Sequence, residues 1–234
     1  MQFREALRKY LGIPDHIMRH LFFHRDPYRE IKTDQNLLIS PADGTVLYAH
    51  ENIDANLDLV DVKGIKVSPN SILQGEYLKG NVLIVGIFMS FWDVHVNRMP
   101  SNGIIDYEFI DPNNGKLCTM IDVENALCDS RKQPLVDCEY LLKNARIMNK
   151  ITTGDLHYFV VQIADAEVDV LVPFYPPGTA LEQGDRFGLI RWGSQVDVII
   201  PQEQSRKFRV AVKPGDHIKA GLDAIARISP REMK

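Results

Sequence analysis

The sequence predicts a mainly β protein of the α+β class, led by a helical arm. From Leu37 onward, short runs rich in Val and Ile are cut by Gly, Asp and Asn, as strands joined by tight turns require. Before that point apolar residues recur every four positions, at Phe3, Leu7 and Leu11 and again at Ile17 and Leu21, which is helical spacing. The chain's 234 residues, 45% hydrophobic and 25% charged, suffice for one core, and no Gly/Ser linker divides them. We therefore expect an arm over residues 1–30 and a single β-rich domain over 31–234.

In the arm, Gly12 and Pro14 separate two short helices. Arg4, Arg8, Lys9, Arg19, Arg25 and Arg29 outnumber Glu5, Asp15 and Asp26, so the arm suits an anionic bilayer surface or a packing surface on the protein or a second subunit. Strands are expected at 44–50, 57–60, 65–67, 82–89, 95–98, 103–109, 145–150, 155–164, 168–173, 188–190, 195–200, 207–212 and 224–228. Residues 71–75 and 125–142 read as irregular or partly helical. The longest apolar run, 82–89, is broken by Gly86 and falls far short of the roughly 18 residues a helical membrane span needs. No secretory leader is expected.

The formal charge of −4, without a basic stripe carrying aromatics, argues against a nucleic-acid partner. Cys118, Cys128 and Cys138 lack CxxC spacing and read as reduced thiols of a cytoplasm-facing protein. His16, His20 and His24 repeat every four residues, but no Cys or carboxylate set completes four ligands, so they read as interfacial histidines and no metal is expected.

The segment Trp192-Gly193-Ser194-Gln195 lies between a turn, 184–188, and an apolar strand. The Gly193 carbonyl is sterically open and the Ser194 hydroxyl sits one bond away. Attack of Ser194 Oγ on that carbonyl turns the amide into an ester. Loss of the Ser194 Cα proton then expels the acyl group and, after ammonia leaves, yields a pyruvoyl group. A serine needs a base within hydrogen-bond reach for this. Asp93 and His95, two apart, would share one face of an extended segment, letting the carboxylate orient the imidazole.

Three further segments precede Gly193-Ser194: Phe22-Phe23-His24-Arg25-Asp26-Pro27-Tyr28-Arg29, Ser40-Pro41-Ala42-Asp43-Gly44-Thr45-Val46, and Ser90-Phe91-Trp92-Asp93-Val94-His95-Val96-Asn97-Arg98-Met99-Pro100. In this order the four segments resemble the phosphatidylserine decarboxylase family in its short bacterial and archaeal branch. The resemblance runs from about Phe22 to the C-terminus. It implies a pyruvoyl cofactor made from Ser194, with no metal and no PLP, and cleavage between Gly193 and Ser194. That group would form a Schiff base with phosphatidylserine and release CO₂, leaving phosphatidylethanolamine. It also implies catalytic duty for Asp43, Asp93 and His95, a peripheral position on the cytoplasmic face of the membrane, and fragments 1–193 and 194–234 that stay associated. A homo-oligomer is left open.

Two departures matter. Longer relatives carry a second histidine three places after the first, as base to the serine; here that position is Arg98, as in the short branch. His95 is then the candidate base or proton donor, and Arg98 a candidate for the lipid phosphate or substrate carboxylate. Upstream, Asp165, Glu167 and Asp169 stand where relatives show a glycine and an arginine pair, which would change head-group preference or a subunit contact.

Two stretches, 41–46 and 212–221, also resemble turns of the biotinyl/lipoyl-type barrel-sandwich hybrid. They predict a β-sandwich core and offer a rival function, a non-catalytic carrier or scaffold. Neither Lys213 nor Lys219 lies in a carrier-lysine setting. A Ser194-dependent hydrolase is the other rival, although Gln195 and Val196 replace the Gly-x-Ser-x-Gly elbow.

Overall fold

The apolar runs form strands, half of those described lying in one sheet. The computed structural model describes residues 24–57, 60–62, 65–75, 77–90, 92–112, 118–128, 139–154, 156–165, 171–191, 194–202 and 208–228, with Gly12 and Ile17. The expected arm thus lies almost wholly outside the described residues. In chain order the elements are β1 (Leu37–Ile39), β2 (Gly44–Asp54), β3 (Val60–Val62), β4 (Ile65–Val67), α1 (Pro69–Leu73), β5 (Asn81–Met89), β6 (Val96–Arg98), β7 (Gly103–Ile110), α2 (Ile121–Cys128) and α3 (Tyr140–Lys143). There follow β8 (Arg146–Thr153), β9 (Leu156–Ala164), β10 (Leu171–Pro173), β11 (Thr179–Leu181), β12 (Arg186–Ile190), β13 (Ser194–Pro201), β14 (Phe208–Val210), β15 (His217–Ile218) and β16 (Ala224–Ile228).

Among the described residues, eight strands make one antiparallel sheet in the order β11-β7-β8-β9-β13-β5-β2-β15. Smaller sheets are β1-β16-β14, β10-β12-β6 and β3-β4. Strand β13 lies inside the large sheet, paired with β5 on one side and β9 on the other, and all its residues are buried. Alternation sorts its side chains. Val196, Val198 and Ile200 enter a core shared with Leu38, Phe187, Phe208 and Ile225 of the small sheets. Ile199 enters a second core with Ile72, Val123, Tyr140 and Leu141 of the helices. The large sheet is therefore covered on both faces, which is why β5 and β13 read as nearly continuous apolar runs. Each buried Val or Ile contributes roughly 1.5–3 kcal/mol of transfer free energy. This is the β-rich α+β architecture the sequence predicts.

Gly86 interrupts β5 for a packing reason: a Cβ there would lie 2.3 Å from the Tyr48 ring. The two look-alike turns pack on each other. The Gly215 N–H donates to the Val46 carbonyl at 2.8 Å, the Val46 N–H to the Asp216 carbonyl at 2.9 Å, and β15 pairs with the start of β2.

Some expectations shift. Strand β2 runs on to Asp54, and a turn precedes β3, so the strand expected at 57–60 begins at Val60. Residues 69–73 form helix α1, begun by a capping box in which Ser68 and Ser71 exchange side-chain bonds. The three- and two-residue strands β1, β11 and β15 are too short to show a period in the sequence.

Candidate active site

Ser194 opens the central strand. Its backbone is aligned with Met89 on β5 and Ala164 on β9, and its side chain is fully buried. The hydroxyl donates to Met89 Sδ at 3.3 Å. A thioether is a weak acceptor, so it holds the hydroxyl proton loosely. Upstream, the Ile190 N–H donates to the His95 carbonyl at 3.1 Å. The short connection from Ile190 to Ser194 is thus tied at one end to His95 and at the other to the middle of the sheet. Trp192 and Gly193, the expected cleavage partner, lie outside the described residues.

His95 is buried, and its Nδ1 lies 2.9 Å from the Asp93 backbone oxygen. A carbonyl only accepts, so Nδ1 carries the hydrogen and Nε2 the lone pair. Burial pulls the imidazole pKa down to about 4, Arg25 adding to the effect, against the Asp93 carbonyl and the charges of Asp93 and Asp43. His95 is neutral at physiological pH and can accept a proton at Nε2.

The Asp93 carboxylate does not orient His95, in contrast to the expectation from their spacing. Residues 92 and 93 lie in a turn and a bend, and strand β6 begins only at Val96. A turn closes on itself instead: Asp93 N–H donates to the Ser90 carbonyl at 3.0 Å, and Asp93 Oδ2 accepts from Ser90 N at 2.8 Å and Ser90 Oγ at 2.6 Å. Asp93 Oδ1 accepts from His217 Nε2 at 2.8 Å. Burial opposes ionisation of Asp93, but His217 and Ser90 together hold its pKa below the usual carboxylate value. The Asp93 bond raises that of His217. His217 escaped the sequence reading, although it sits in the 212–221 turn recognised there for shape alone.

Asp43 is buried and gripped by the Arg29 fork, Nη1 to Oδ1 at 2.6 Å and Nη2 to Oδ2 at 2.7 Å. The Ala220 N–H adds a bond to Oδ1 at 2.7 Å, and Arg29 Nη1 also donates to the Ala220 carbonyl at 2.5 Å. Gly44 is required beside it, because a Cβ would lie 2.1 Å from the Phe88 backbone oxygen. Arg98, the expected anion binder, is buried and occupied within the protein: Nη1 donates to the Gly184 carbonyl at 3.0 Å and Nη2 to Asp26 Oδ1 at 2.8 Å. Arg186 also pairs with Asp26. Asn97 Nδ2 bonds the Pro41 carbonyl at 3.2 Å and contacts Met89 Sδ at 3.8 Å, so it shares that sulfur with Ser194. Asp165 Oδ1 accepts the Met120 N–H at 3.1 Å; Glu167 and Asp169 lie outside the described residues.

The opposite face of β13 carries a second polar group of residues. Tyr140 Oη donates to Gln195 Oε1 at 2.6 Å, Gln195 Nε2 donates to Tyr48 Oη at 2.8 Å and to Asp197 Oδ1 at 2.7 Å, and Tyr48 Oη donates to Asp197 Oδ2 at 2.8 Å. The residue after Ser194 is thereby fixed from β2, α3 and its own strand.

Among known proteins, the family described as phosphatidylserine decarboxylase matches residues 19–226. A phosphatidylserine decarboxylase proenzyme from Symbiobacterium thermophilum is 29% identical over 208 residues, covering 89% of this chain and 78% of that protein. One of the same name from Geotalea uraniireducens is 31% identical over 201 residues, 86% of this chain and 75% of that protein. A protein of Methanocaldococcus jannaschii, provisionally named archaetidylserine decarboxylase proenzyme, is 32% identical over 206 residues, 88% of each chain.

Proposed function

This chain belongs to the phosphatidylserine decarboxylase family, and on that footing we propose that it is a self-processing, pyruvoyl-dependent decarboxylase of a serine phospholipid. The observation that carries the reading is Ser194 at the head of the central strand, buried, with a thioether as acceptor for its hydroxyl. His95, neutral and with its lone pair on Nε2, is the base we assign to that hydroxyl. Ser194 Oγ bonds to the Gly193 carbonyl carbon while the Gly193–Ser194 C–N bond breaks, giving an ester and a free amine. Removal of the Ser194 Cα proton breaks the Cβ–Oγ bond and frees the Gly193 carboxylate, leaving a dehydroalanine whose nitrogen water then replaces, releasing ammonia.

The resulting pyruvoyl group would supply an electrophilic carbonyl for the substrate amine and an electron sink for the pair released as CO₂ leaves. The chain's own residues bind, orient and move protons. His95 takes a proton at Nε2 and can return one from the same atom. Asp43, locked to Arg29 and Ala220, shapes the wall of the site and sets a negative charge near His95. Arg98 acts by holding Asp26 and the 182–185 turn that leads into β12. After cleavage, pairing of β13 with β5 and β9 keeps fragments 1–193 and 194–234 together.

A membrane-surface location belongs to this proposal, supported by the exposed apolar side chains of Tyr28, Trp92 and Leu222. No helix among the described residues is long and apolar enough to cross a membrane. A hydrolase reading is disfavoured because Ser194 opens a strand rather than a strand-to-helix elbow. The test is release of labelled CO₂ from vesicles of carboxyl-labelled phosphatidylserine, with and without prior treatment of the protein by hydroxylamine. Release abolished by hydroxylamine supports the proposal; release untouched by it, or none at all, contradicts it.

A further inference from the structure

Asp93 links two histidines. Its backbone oxygen takes the Nδ1–H of His95, and its carboxylate takes Nε2–H of His217. The second carboxylate oxygen is already committed to the Ser90 amide and hydroxyl. The 90–95 loop is therefore held at three points, one of which is His217. That residue belongs to β15, which pairs with Thr45 and Gly44 next to Asp43. Its chain position also matters, because His217 follows Ser194. The contact joins what would become two separate fragments.

We propose that His217 is a positioning residue: by clamping Asp93 it holds the 90–95 loop in the shape that keeps the proton of His95 on Nδ1. The inference rests on the reading of His95 as the proton-accepting group. Loss of the clamp removes the bond to Oδ1 and leaves the carboxylate held by Ser90 alone, which loosens the turn that carries the carbonyl selecting the His95 tautomer. A base presenting the wrong nitrogen to Ser194 cannot take its proton. Half of the His217 side chain is open to solvent, so the clamp is exposed to bulk pH while His95 is not. The charged groups facing His217 are Asp93 and Asp43 from the neighbouring motifs and Lys219 from its own segment. The two carboxylates favour the imidazolium and Lys219 opposes it. With Asp93 ionised, the charged clamp is present below the ordinary imidazole value of 6.5 and weakens as pH rises through the elevated pKa of His217.

The experiment has two arms. In Ser194→Ala protein labelled with ¹⁵N-histidine, ring-proton spectra should find His95 in its Nδ1–H form. Adding His217→Ala should convert it to a mixture of tautomers, and His217→Gln, which keeps a donor for Asp93, should restore the single form. In the Ser194 protein, His217→Ala should slow chain cleavage by about ten- to a hundredfold, the cost of a misaligned reacting pair. His217→Gln should recover to within about threefold of wild type and lose the alkaline decline of the rate. An unchanged His95 tautomer in the alanine variant, or cleavage at the wild-type rate, overturns the proposal. Should the wild-type chain never cleave, the functional reading fails by itself, and the tautomer arm still decides whether the clamp exists.

Discussion

Tyr48 Oη donates to Asp197 Oδ2 at 2.8 Å from a ring that lies against Gly86, so β2, β5 and β13 are joined through a buried carboxylate. Burial pushes the Asp197 pKa up to about 7, against the bonds from Gln195 and Tyr48 and the charge of Arg146. The Arg146 guanidinium is itself lowered to about 10 by burial, and its Nε has no hydrogen-bond partner among the described residues. The two charges sit in the helix-side core, each offsetting part of the other's desolvation.

That arrangement predicts a stability profile with a definite sign. An acid whose folded pKa exceeds its unfolded 3.8 binds its proton more tightly when folded, so the stabilisation is greatest below 3.8 and is lost as pH rises through about 7. Denaturant titrations of uncleaved Ser194→Ala protein should show Asp197→Asn gaining on its parent between those limits, by at most about 1.4 kcal/mol per pH unit. Parallel curves for the two proteins would contradict it.

His95 titrates in the opposite sense. Its folded pKa, lowered to about 4 from 6.5, keeps Nε2 unprotonated well into acid. Cleavage of newly made precursor should therefore hold its rate to about pH 5 and fall only near pH 4, and His95→Gln should block it. A half-maximal rate near 6.5 would mean that an ordinary exposed imidazole is the base.

Asp43 depends on Arg29. Removing the guanidinium leaves a buried carboxylate with the Ala220 amide as its remaining described donor, so Arg29→Ala should cost about 3–5 kcal/mol. Arg29→Ala with Asp43→Asn should recover part of that loss, and Arg29→Lys little, because the fork contacts both oxygens. Additive losses in the double variant, measured by urea unfolding, would refute the coupling.

Gly44→Ala forces a methyl to 2.1 Å from the Phe88 carbonyl oxygen and should prevent β2 from seating on β5. Gly154→Ala adds a methyl in open space at φ +63° and should cost only about 1 kcal/mol of backbone strain. Thermal unfolding of the two variants separates them; similar losses would show that the close approach at Gly44 does not matter.

Much of this fold was legible because burial on both faces writes long apolar runs into β5, β9 and β13. The short strands β1, β11 and β15 left no such trace, since two or three residues have no period. At the site, Ser194, His95, Asp93 and Asp43 could be named from motif order, but their partners could not. Asp93 and His95 were misjudged as an extended pair because a Ser90–Asp93 side-chain turn is invisible to alternation. Arg29 and His217 meet their carboxylates only once the 212–221 turn folds onto 41–46. Arg98 has a donor geometry suited to an anion, and Asp26 from the preceding motif satisfies it.

Intact mass of the protein purified from cells is the most direct measurement of whether Ser194 is converted. Two polypeptides should appear, residues 1–193 and a shorter one whose first residue has lost the serine nitrogen and resists Edman degradation, while Ser194→Ala stays whole. A single unbroken chain from the wild-type gene, or a Ser194→Ala protein cut at the same bond, would contradict the account.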